Sequence, residues 1–220
     1  MQLLAIDTSG TVCASALLDL GTGEILAEAS AEIGLGHAEI LMQQIGSVLE
    51  TGRASYDAIS RIAVSIGPGS FTGVRIGMSV AQGLALGLSV PVAGVSTLDA
   101  LEAHALEIGS DQPVAVILDA RRDQAYCKFP GQEPFVETYK EIAKLMETHD
   151  ATLCGSGIDR LADQVGNPSK ILHRESVAPI ATYARLGAEI AEPGEMPNPL
   201  YLRSADAKTQ TGFALPRVEG

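Results

Sequence analysis

The sequence predicts an α/β fold, and two observations carry that prediction. The first is a meander of three apolar runs, Leu3–Ile6, Val12–Leu18 and Glu24–Ser30, with Asp7-Thr-Ser-Gly10 at the first turn and Leu20-Gly-Thr-Gly23 at the second. Each run is short, apolar and bounded by turn residues, as strands are. The second is the unit built on Ile62-Ala-Val-Ser-Ile66, a buried strand by the same criteria, followed by Gly67-Pro-Gly-Ser-Phe-Thr-Gly73 and a helical stretch from Thr72 to Leu88 that Pro91 closes. Strand, glycine loop and helix in that order, beside a meander with an acid at its first turn, suggest a nucleotide-binding half of the ribonuclease-H/actin type. In that type of half the Asp-plus-Thr/Ser turn faces phosphate or metal.

The remaining elements follow from local pattern. Gly34-Leu-Gly-His37 opens a helix over Ala38–Leu49, where Ile40, Leu41, Ile45, Val48 and Leu49 form a stripe. Ser55–Ser60 reads as a short capped helix. Val90–Val95 reads as a strand. Ser96-Thr-Leu-Asp99 has the form of a capping box and starts a helix that runs to about Leu106. Gly109-Ser-Asp-Gln-Pro113 is the clearest break in composition and marks a domain boundary. Beyond it come a strand at Val114–Leu118, a hairpin partner at Ala125–Phe129, a helix at Tyr139–Met146, a strand at Ala151–Cys154 and a last helix at Pro179–Ala191. The predicted organisation is an N-terminal half over 1–108, completed by the C-terminal segment 179–204. A smaller second half spans 109–178, and a mobile tail spans 205–220. No internal repeat at a fixed period is visible.

Bulk properties exclude several classes. The 220 residues supply ample core, with 46% hydrophobic residues and a mean hydropathy of +0.18. No apolar run reaches the length of a membrane span. The start lacks a basic leader and carries Asp7 early, so a cytoplasmic location is expected. Cys13, Cys127 and Cys154 are scattered and odd in number, which predicts buried, reduced thiols and no metal site. A net charge of −12 and a pI near 4.7 argue against tight, unaided binding of nucleic acid. The four histidines, His37, His104, His149 and His173, are too dispersed in sequence to promise a cluster.

The glycine loop and the first turn leave two uses open. Helix N–H groups behind a glycine loop hold either an anion or another backbone. Asp7, Thr8, Ser9, Gly67, Gly69, Ser70, Thr72 and Gly73 are thus either the remnant of a phosphate loop or a tight crossover with a capped turn. The loop is neither G-x-x-x-x-G-K-[ST] nor G-x-G-x-x-G. The following helix is rich in small residues (Gly73, Gly77, Ser79, Ala81, Gly83, Ala85, Gly87), and each glycine costs it about 1 kcal/mol against alanine. That composition predicts close packing on both sides.

Taken in order, Leu4–Ser9, His37–Leu41, Gly67–Gly77, Pro91–Ser96, Asp119-Ala-Arg121 with Tyr126, and Leu200–Arg203 resemble the TsaB (YeaZ) family. The resemblance implies an actin-like fold, of the acetate and sugar kinase type, with two ribonuclease-H-like halves of which the second is reduced. It implies a role in forming threonylcarbamoyladenosine beside the anticodon of ANN-reading tRNAs, as a non-catalytic subunit that binds and activates a metal-bearing paralogue, TsaD. An ATPase, TsaE, joins them, and tRNA is met only through the complex. The catalytic paralogue carries H-x-x-x-H after the corresponding helix and strand. Here Thr97 and Leu101 stand at those positions, so neither catalytic residues nor a metal are expected in this chain. No cofactor is expected in the isolated chain, and a nucleotide belongs, if anywhere, at the junction of the complex. The expected partner surface is formed by His37, Leu41, Ile45, Arg75, Met78 and Gln82 on the two helices, and such a surface also lets the free chain form homodimers. Two other readings make different demands. A nucleotide-dependent phosphotransferase or ATPase uses Asp7 and the glycine loop, whereas a metallopeptidase fails for want of the histidine pair.

Overall fold

The computed structural model describes residues 1–33, 36–165, 170–191, 193 and 196–203; the tail 205–220, expected to be mobile, lies outside them. The chain forms two five-stranded sheets. The first comprises β1 (Gln2–Asp7), β2 (Val12–Asp19), β3 (Ile25–Glu32), β4 (Ile59–Gly67) and β5 (Val92–Ser96), in the order β3-β2-β1-β4-β5. The second comprises β6 (Val114–Asp119), β7 (Gln124–Lys128), β8 (Phe135–Thr138), β9 (Thr152–Cys154) and β10 (Ile171–His173), in the order β10-β9-β6-β7-β8. Both orders follow one plan. The first strand of each sheet pairs antiparallel with the second and parallel with the fourth. The structure therefore contains a duplication that residue-by-residue reading misses, because the copies share topology and differ in element length.

Helices fill the layers outside and between the sheets. On the outer face of the first sheet lie α1 (His37–Thr51) and α2 (Phe71–Leu88); α4 (Tyr139–Met146) and α5 (Ile158–Val165) cover the outer face of the second. Between the sheets lie α3 (Thr97–Glu107) and α6 (Ile180–Glu189). β1, β2, β6 and β9 are buried on both faces, which is why they read as nearly continuous apolar runs, whereas β3, β7 and β8 are partly exposed. On β1, Leu3 and Ala5 enter the central core, while Leu4 and Ile6 face α1 and α2. On β6, Val114, Val116 and Leu118 face the centre, while Ala115 and Ile117 face outward to the second outer core.

The two central helices meet between the sheets. α6, at the chain's end, packs on β1, β2 and β4 of the first sheet, and α3 packs on β6 of the second. Gly187 lets α6 approach closely, since a Cβ there would lie 2.4 Å from the Ala63 Cβ. α6 has no basic residue in its last turn. Arg61 of β4 supplies the missing donor: its Nη1 donates to the carbonyls of Gly187, Ala188 and Ile190 at 3.2, 3.0 and 2.7 Å. A guanidinium among the unpaired carbonyls of a helix C-terminus satisfies them and opposes the helix dipole. Among the described residues no helix is long and apolar enough to cross a membrane.

Several local expectations are corrected. Ser55–Ser60 is a single 3-10 turn, Tyr56–Ala58, without a side-chain cap, and Ile59 already belongs to β4. Ser96 caps α3 by accepting from the Leu98 N–H at 3.2 Å. The Asp99 carboxylate completes no capping box, because Lys128 of β7 draws it away together with Glu102. β8 and β10 are too short to show a period, whereas α5 carries one in Ile158, Leu161 and Val165 that is missing from the predicted elements. All three thiols are buried, and burial raises the pKa of Cys13 to about 11 and those of Cys127 and Cys154 to about 12, as inert thiols require.

The histidines are less dispersed in space than in sequence. α3 and β10 bring His104 and His173 together, with ring centroids 5.4 Å apart. Glu175 Oε2 lies 2.6 Å from His173 Nδ1. Even so, no group of three or more ligating side chains able to hold a metal forms among the described residues. Burial lowers the pKa of His173 below its ordinary 6.5, and His104 adds to this against the opposite pull of Glu175. The neutral ring is therefore the native form, and the unfolded chain takes up this proton first as pH falls. Stability from this site is complete above pH 6.5 and is lost as pH drops through the lower folded value, with a slope of at most about 1.4 kcal/mol per pH unit. Urea melts from neutral to mildly acidic pH are expected to show this loss in the native chain and a flatter profile in His173→Asn.

Candidate functional site

The ends of β1 and β4 meet the start of α2, and these elements form the centre of the site. Asp7, Thr8 and Ser9 are all buried there. Asp7 Oδ1 accepts from the Ser9 N–H at 2.9 Å and so closes the turn on itself. The glycine loop lies directly on this turn. Ser70 N–H donates to the Ser9 carbonyl at 2.6 Å, and Thr8 Oγ1 donates to the Gly73 carbonyl at 2.7 Å. Ser70 is the N-cap of α2, its Oγ accepting from the Gly73 N–H at 3.2 Å.

The glycines show how close this contact is. A Cβ on Gly69 would lie 2.3 Å from the Ser9 carbonyl oxygen, one on Gly73 would lie 2.0 Å from that of Thr8, and one on Gly77 would lie 2.5 Å from Thr8 Oγ1. No space for a methyl group, still less a phosphate, separates the loop from the turn. Along this contact the loop holds another backbone, and Gly69, Ser70 and Thr72 remain on the wall of a cleft. Gly67, with φ of +88°, provides the bend that allows this approach.

Behind the turn sits a buried hydroxyl cluster. Thr97 Oγ1 lies 3.3 Å from both Ser9 Oγ and Ser65 Oγ. The fully buried Tyr183 of α6 completes it, and burial, with the Asp7 charge, holds its phenol well above the ordinary value. The second half repeats the plan. Asp119 at the end of β6 accepts from Tyr139 Oη at 2.7 Å and from Arg160 Nη1 at 3.1 Å. Gly155 and Gly157 follow β9 as the glycine loop follows β4. The Gly157 N–H donates to the Ile117 carbonyl at 2.9 Å, and a Cβ on Gly155 would lie 2.4 Å from that oxygen.

Between the halves runs a cleft of about 440 Å³, bordered by Ser9, Ser70, Thr72, Asp119, Arg121 and Ser156. Arg121 on its wall opens an unusual run: Arg121, Arg122 and Asp123 have φ values of 61°, 51° and 61°. Three successive non-glycine residues in the left-handed region cost about 1–2 kcal/mol each, so the rest of the hairpin must hold them there. All eight residues proposed from sequence for the phosphate-loop remnant are thus gathered at one place, with only Ser9, Gly69, Ser70 and Thr72 on the cleft wall. Sequence reasoning missed the partners of Asp119 and the left-handed run. Their one signal was the pair of charged positions flanking Arg121-Arg122.

The six residues expected to meet a partner divide differently. Leu41, Ile45 and Met78 are buried in the chain's own outer core and present no surface, because the apolar stripe on which they were selected is the stripe that packs on the sheet. Arg75 and Gln82 are exposed. His37 opens α1, and its side chain lies outside the described part of the structure. The exposed surface of these helices includes Met42, Ser79, Gln82, Gly83 and Leu86.

Two duplicated sheets, two central helices packed between them and an acidic end on the first strand of each sheet define an actin-like chain, here one whose first glycine loop lies against its own turn. Relatives agree. The family model described as TsaD, tRNA N6-adenosine threonylcarbamoyltransferase, matches residues 31–170, and the chain belongs to that family, in its TsaB (YeaZ) branch. The Haemophilus influenzae protein named tRNA threonylcarbamoyladenosine biosynthesis protein TsaB is 28% identical over 92% of this chain and 83% of its own. The Escherichia coli protein of the same name is 38% identical over 57% of this chain, a match spanning 53% of that protein. A Pseudomonas aeruginosa crystal structure, described as an uncharacterized protein with similarity to peptidase YEAZ, superposes with a TM-score of 0.78 at 28% identity, covering 92% of this chain and 99% of that one.

Proposed function

We propose that this chain serves threonylcarbamoyladenosine formation in tRNA as a non-catalytic subunit that binds and activates a metal-bearing TsaD paralogue. One observation carries the non-catalytic part. Thr97 and Leu101, at the positions of the paralogue's two histidines, are both buried, Thr97 in the hydroxyl cluster and Leu101 in the central core. A leucine side chain has no donor atom for a metal, and the Thr97 hydroxyl is engaged by Ser9 and Ser65. The closed contact between the glycine loop and the first turn weighs against the phosphotransferase alternative, which needs that loop for phosphate. The partner surface proposed for TsaD is the outer face of α1 and α2, centred on Met42, Gln82, Gly83 and Leu86. These supply exposed apolar and small residues for close helix packing. TsaE and tRNA engage through the complex, and a nucleotide, where one binds, does so at its junction.

The test is reconstituted transfer with the organism's own TsaD, TsaE, threonylcarbamoyl-AMP source and tRNA, scored as modified adenosine by nucleoside mass spectrometry. Product is expected only when this chain and TsaD are both present. Product from this chain without TsaD, or ATP turnover by this chain alone that disappears in Asp7→Asn, would favour an enzyme instead.

A further inference from the structure

A second cavity, of about 640 Å³, adjoins the cleft and shares Pro68, Gly69, Phe71 and Tyr126 with it. Its walls are the start of α2, the β6–β7 hairpin and the C-terminal segment Leu200–Arg203. That segment is fixed to the first sheet by the Leu200 N–H, which donates to the Ile66 carbonyl at 2.8 Å. Six side chains define the cavity's chemistry: Phe71, Arg75, Arg122, Tyr126, Tyr201 and Arg203. In a chain with 27 acidic and 15 basic residues, no carboxylate is among the described residues lining it.

The aromatic and cationic groups are ordered against one another. Phe71 and Tyr201 are 59% and 54% exposed, with ring centroids 6.0 Å apart and planes inclined by 35°. The Arg75 guanidinium lies 3.7 Å over the Phe71 ring, and its Nε donates to Tyr201 Oη at 3.1 Å. Arg203 Nη2 donates to the Ala120 carbonyl and to Gln124 Oε1, while its Nε has no partner among the described residues. Exposed aromatics do not contribute to the core, and the Arg75 and Arg203 guanidiniums, whose hydrogen bonds here go to neutral groups, are ready for an anion. A planar ring on the aromatic shelf and a phosphate on the arginines together satisfy these groups. The volume is that of a small-molecule site.

We propose that this groove binds one unstacked nucleoside phosphate, with its base on the Phe71–Tyr201 shelf and its phosphate on Arg75 and Arg203. The unit comes either as a free mononucleotide or as an unpaired residue of an RNA strand. The overall negative charge disfavours a longer polyanion, so duplex RNA is excluded as the ligand. The site does not depend on the role proposed above and uses none of the residues of the Asp7–Ser9 turn.

The full-length chain is titrated with AMP, adenosine, inorganic phosphate, a single-stranded pentaribonucleotide and duplex RNA, followed by NMR of aromatic and arginine side chains. AMP or the pentamer is expected to shift Phe71, Tyr201 and Arg75 Nε, and to bind at least about tenfold more tightly than adenosine or phosphate. Tyr201→Ala and Arg75→Gln are each expected to weaken binding about tenfold, and Tyr201→Phe, which keeps the ring, by less than about threefold. AMP alone sufficing identifies a free nucleotide; the pentamer binding where AMP does not identifies an RNA strand. Either supports the site. It is overturned if neither binds more tightly than about 1 mM. Phosphate matching AMP, duplex RNA competing equally, or shifts mapping to Ser9 and Thr72 in place of the shelf would also overturn it. Should a variant fail to fold, the shift map of the native chain decides alone.

Discussion

Gly73→Ala is expected to destabilise the chain severely, while Gly83→Ala on the same helix stabilises it. The two glycines carry the same intrinsic helix penalty and differ only in what surrounds them. A Cβ at Gly73 would lie 2.0 Å from the Thr8 carbonyl oxygen, a backbone atom fixed by β1 and by the Ser70–Ser9 contact. Neither α2 nor β1 can retreat without breaking the Thr8–Gly73 hydrogen bond and unpacking Val74, Met78 and Ala81 from the sheet. Overpacking against backbone places the cost at about 3 kcal/mol or more, a fall in Tm of about 6–12 °C for a chain of this size. At Gly83 nothing lies within 4 Å, so alanine keeps only its helical advantage of about 1 kcal/mol. Thermal melts of the two variants measure both effects. Equal small shifts would mean that the loop and turn are not in contact in solution. Gly83→Ala also separates stability from docking: a variant that melts higher yet pairs more weakly with its partner would locate close helix packing at this face.

Much of the fold was legible because β1, β2, β6 and β9 are buried on both faces. Runs such as Leu3–Ile6 and Val114–Leu118 leave no choice of element, and Gly67–Gly73 fixes where strand gives way to helix. The legibility ends where burial no longer decides. Every residue of β8 is only partly buried, so no alternation marks it. The site was legible as a location and less so as a contact set. The glycines announced a close approach, but whether to phosphate or to backbone depends on Thr8 and Ser9, whose positions are set by strand pairing more than fifty residues away. The partner residues show the opposite failure. An apolar stripe identifies the face of a helix that is buried, and Leu41, Ile45 and Met78 are buried by this chain itself.

The two halves treat their acidic strand ends alike. Asp7 is turned into its own loop, and Asp119 is shared between Tyr139 and Arg160. In a phosphate-handling chain of this architecture these two carboxylates would face each other across the cleft, free to hold metal or water. Here each has protein donors, and burial with the bond to Asp119 pushes the Tyr139 phenol well above its usual value, keeping it a donor. The cleft is bordered by the Ser9, Ser70, Thr72 and Ser156 hydroxyls, the Arg121 side chain and the already partnered Asp119 carboxylate.

The sharpest consequence concerns the missing histidines. Thr97→His/Leu101→His restores the spacing of a metal pair on α3, yet it is expected to cost stability and create no site. Leu101 is fully buried among residues of both sheets, and Cys154 Sγ contacts its carbonyl from β9 at 3.8 Å. An imidazole there exchanges apolar contacts for polar atoms without partners, and one at Thr97 displaces a hydroxyl from the Ser9–Ser65 cluster. Together the two changes are expected to remove about 3–5 kcal/mol. Melting with and without added zinc or iron(II) checks both parts. A lower Tm that metal does not raise means that the surrounding core, as well as the two side chains, has been rebuilt away from catalysis. A Tm restored by metal would show that the interior around positions 97 and 101 accommodates an ion between two imidazoles.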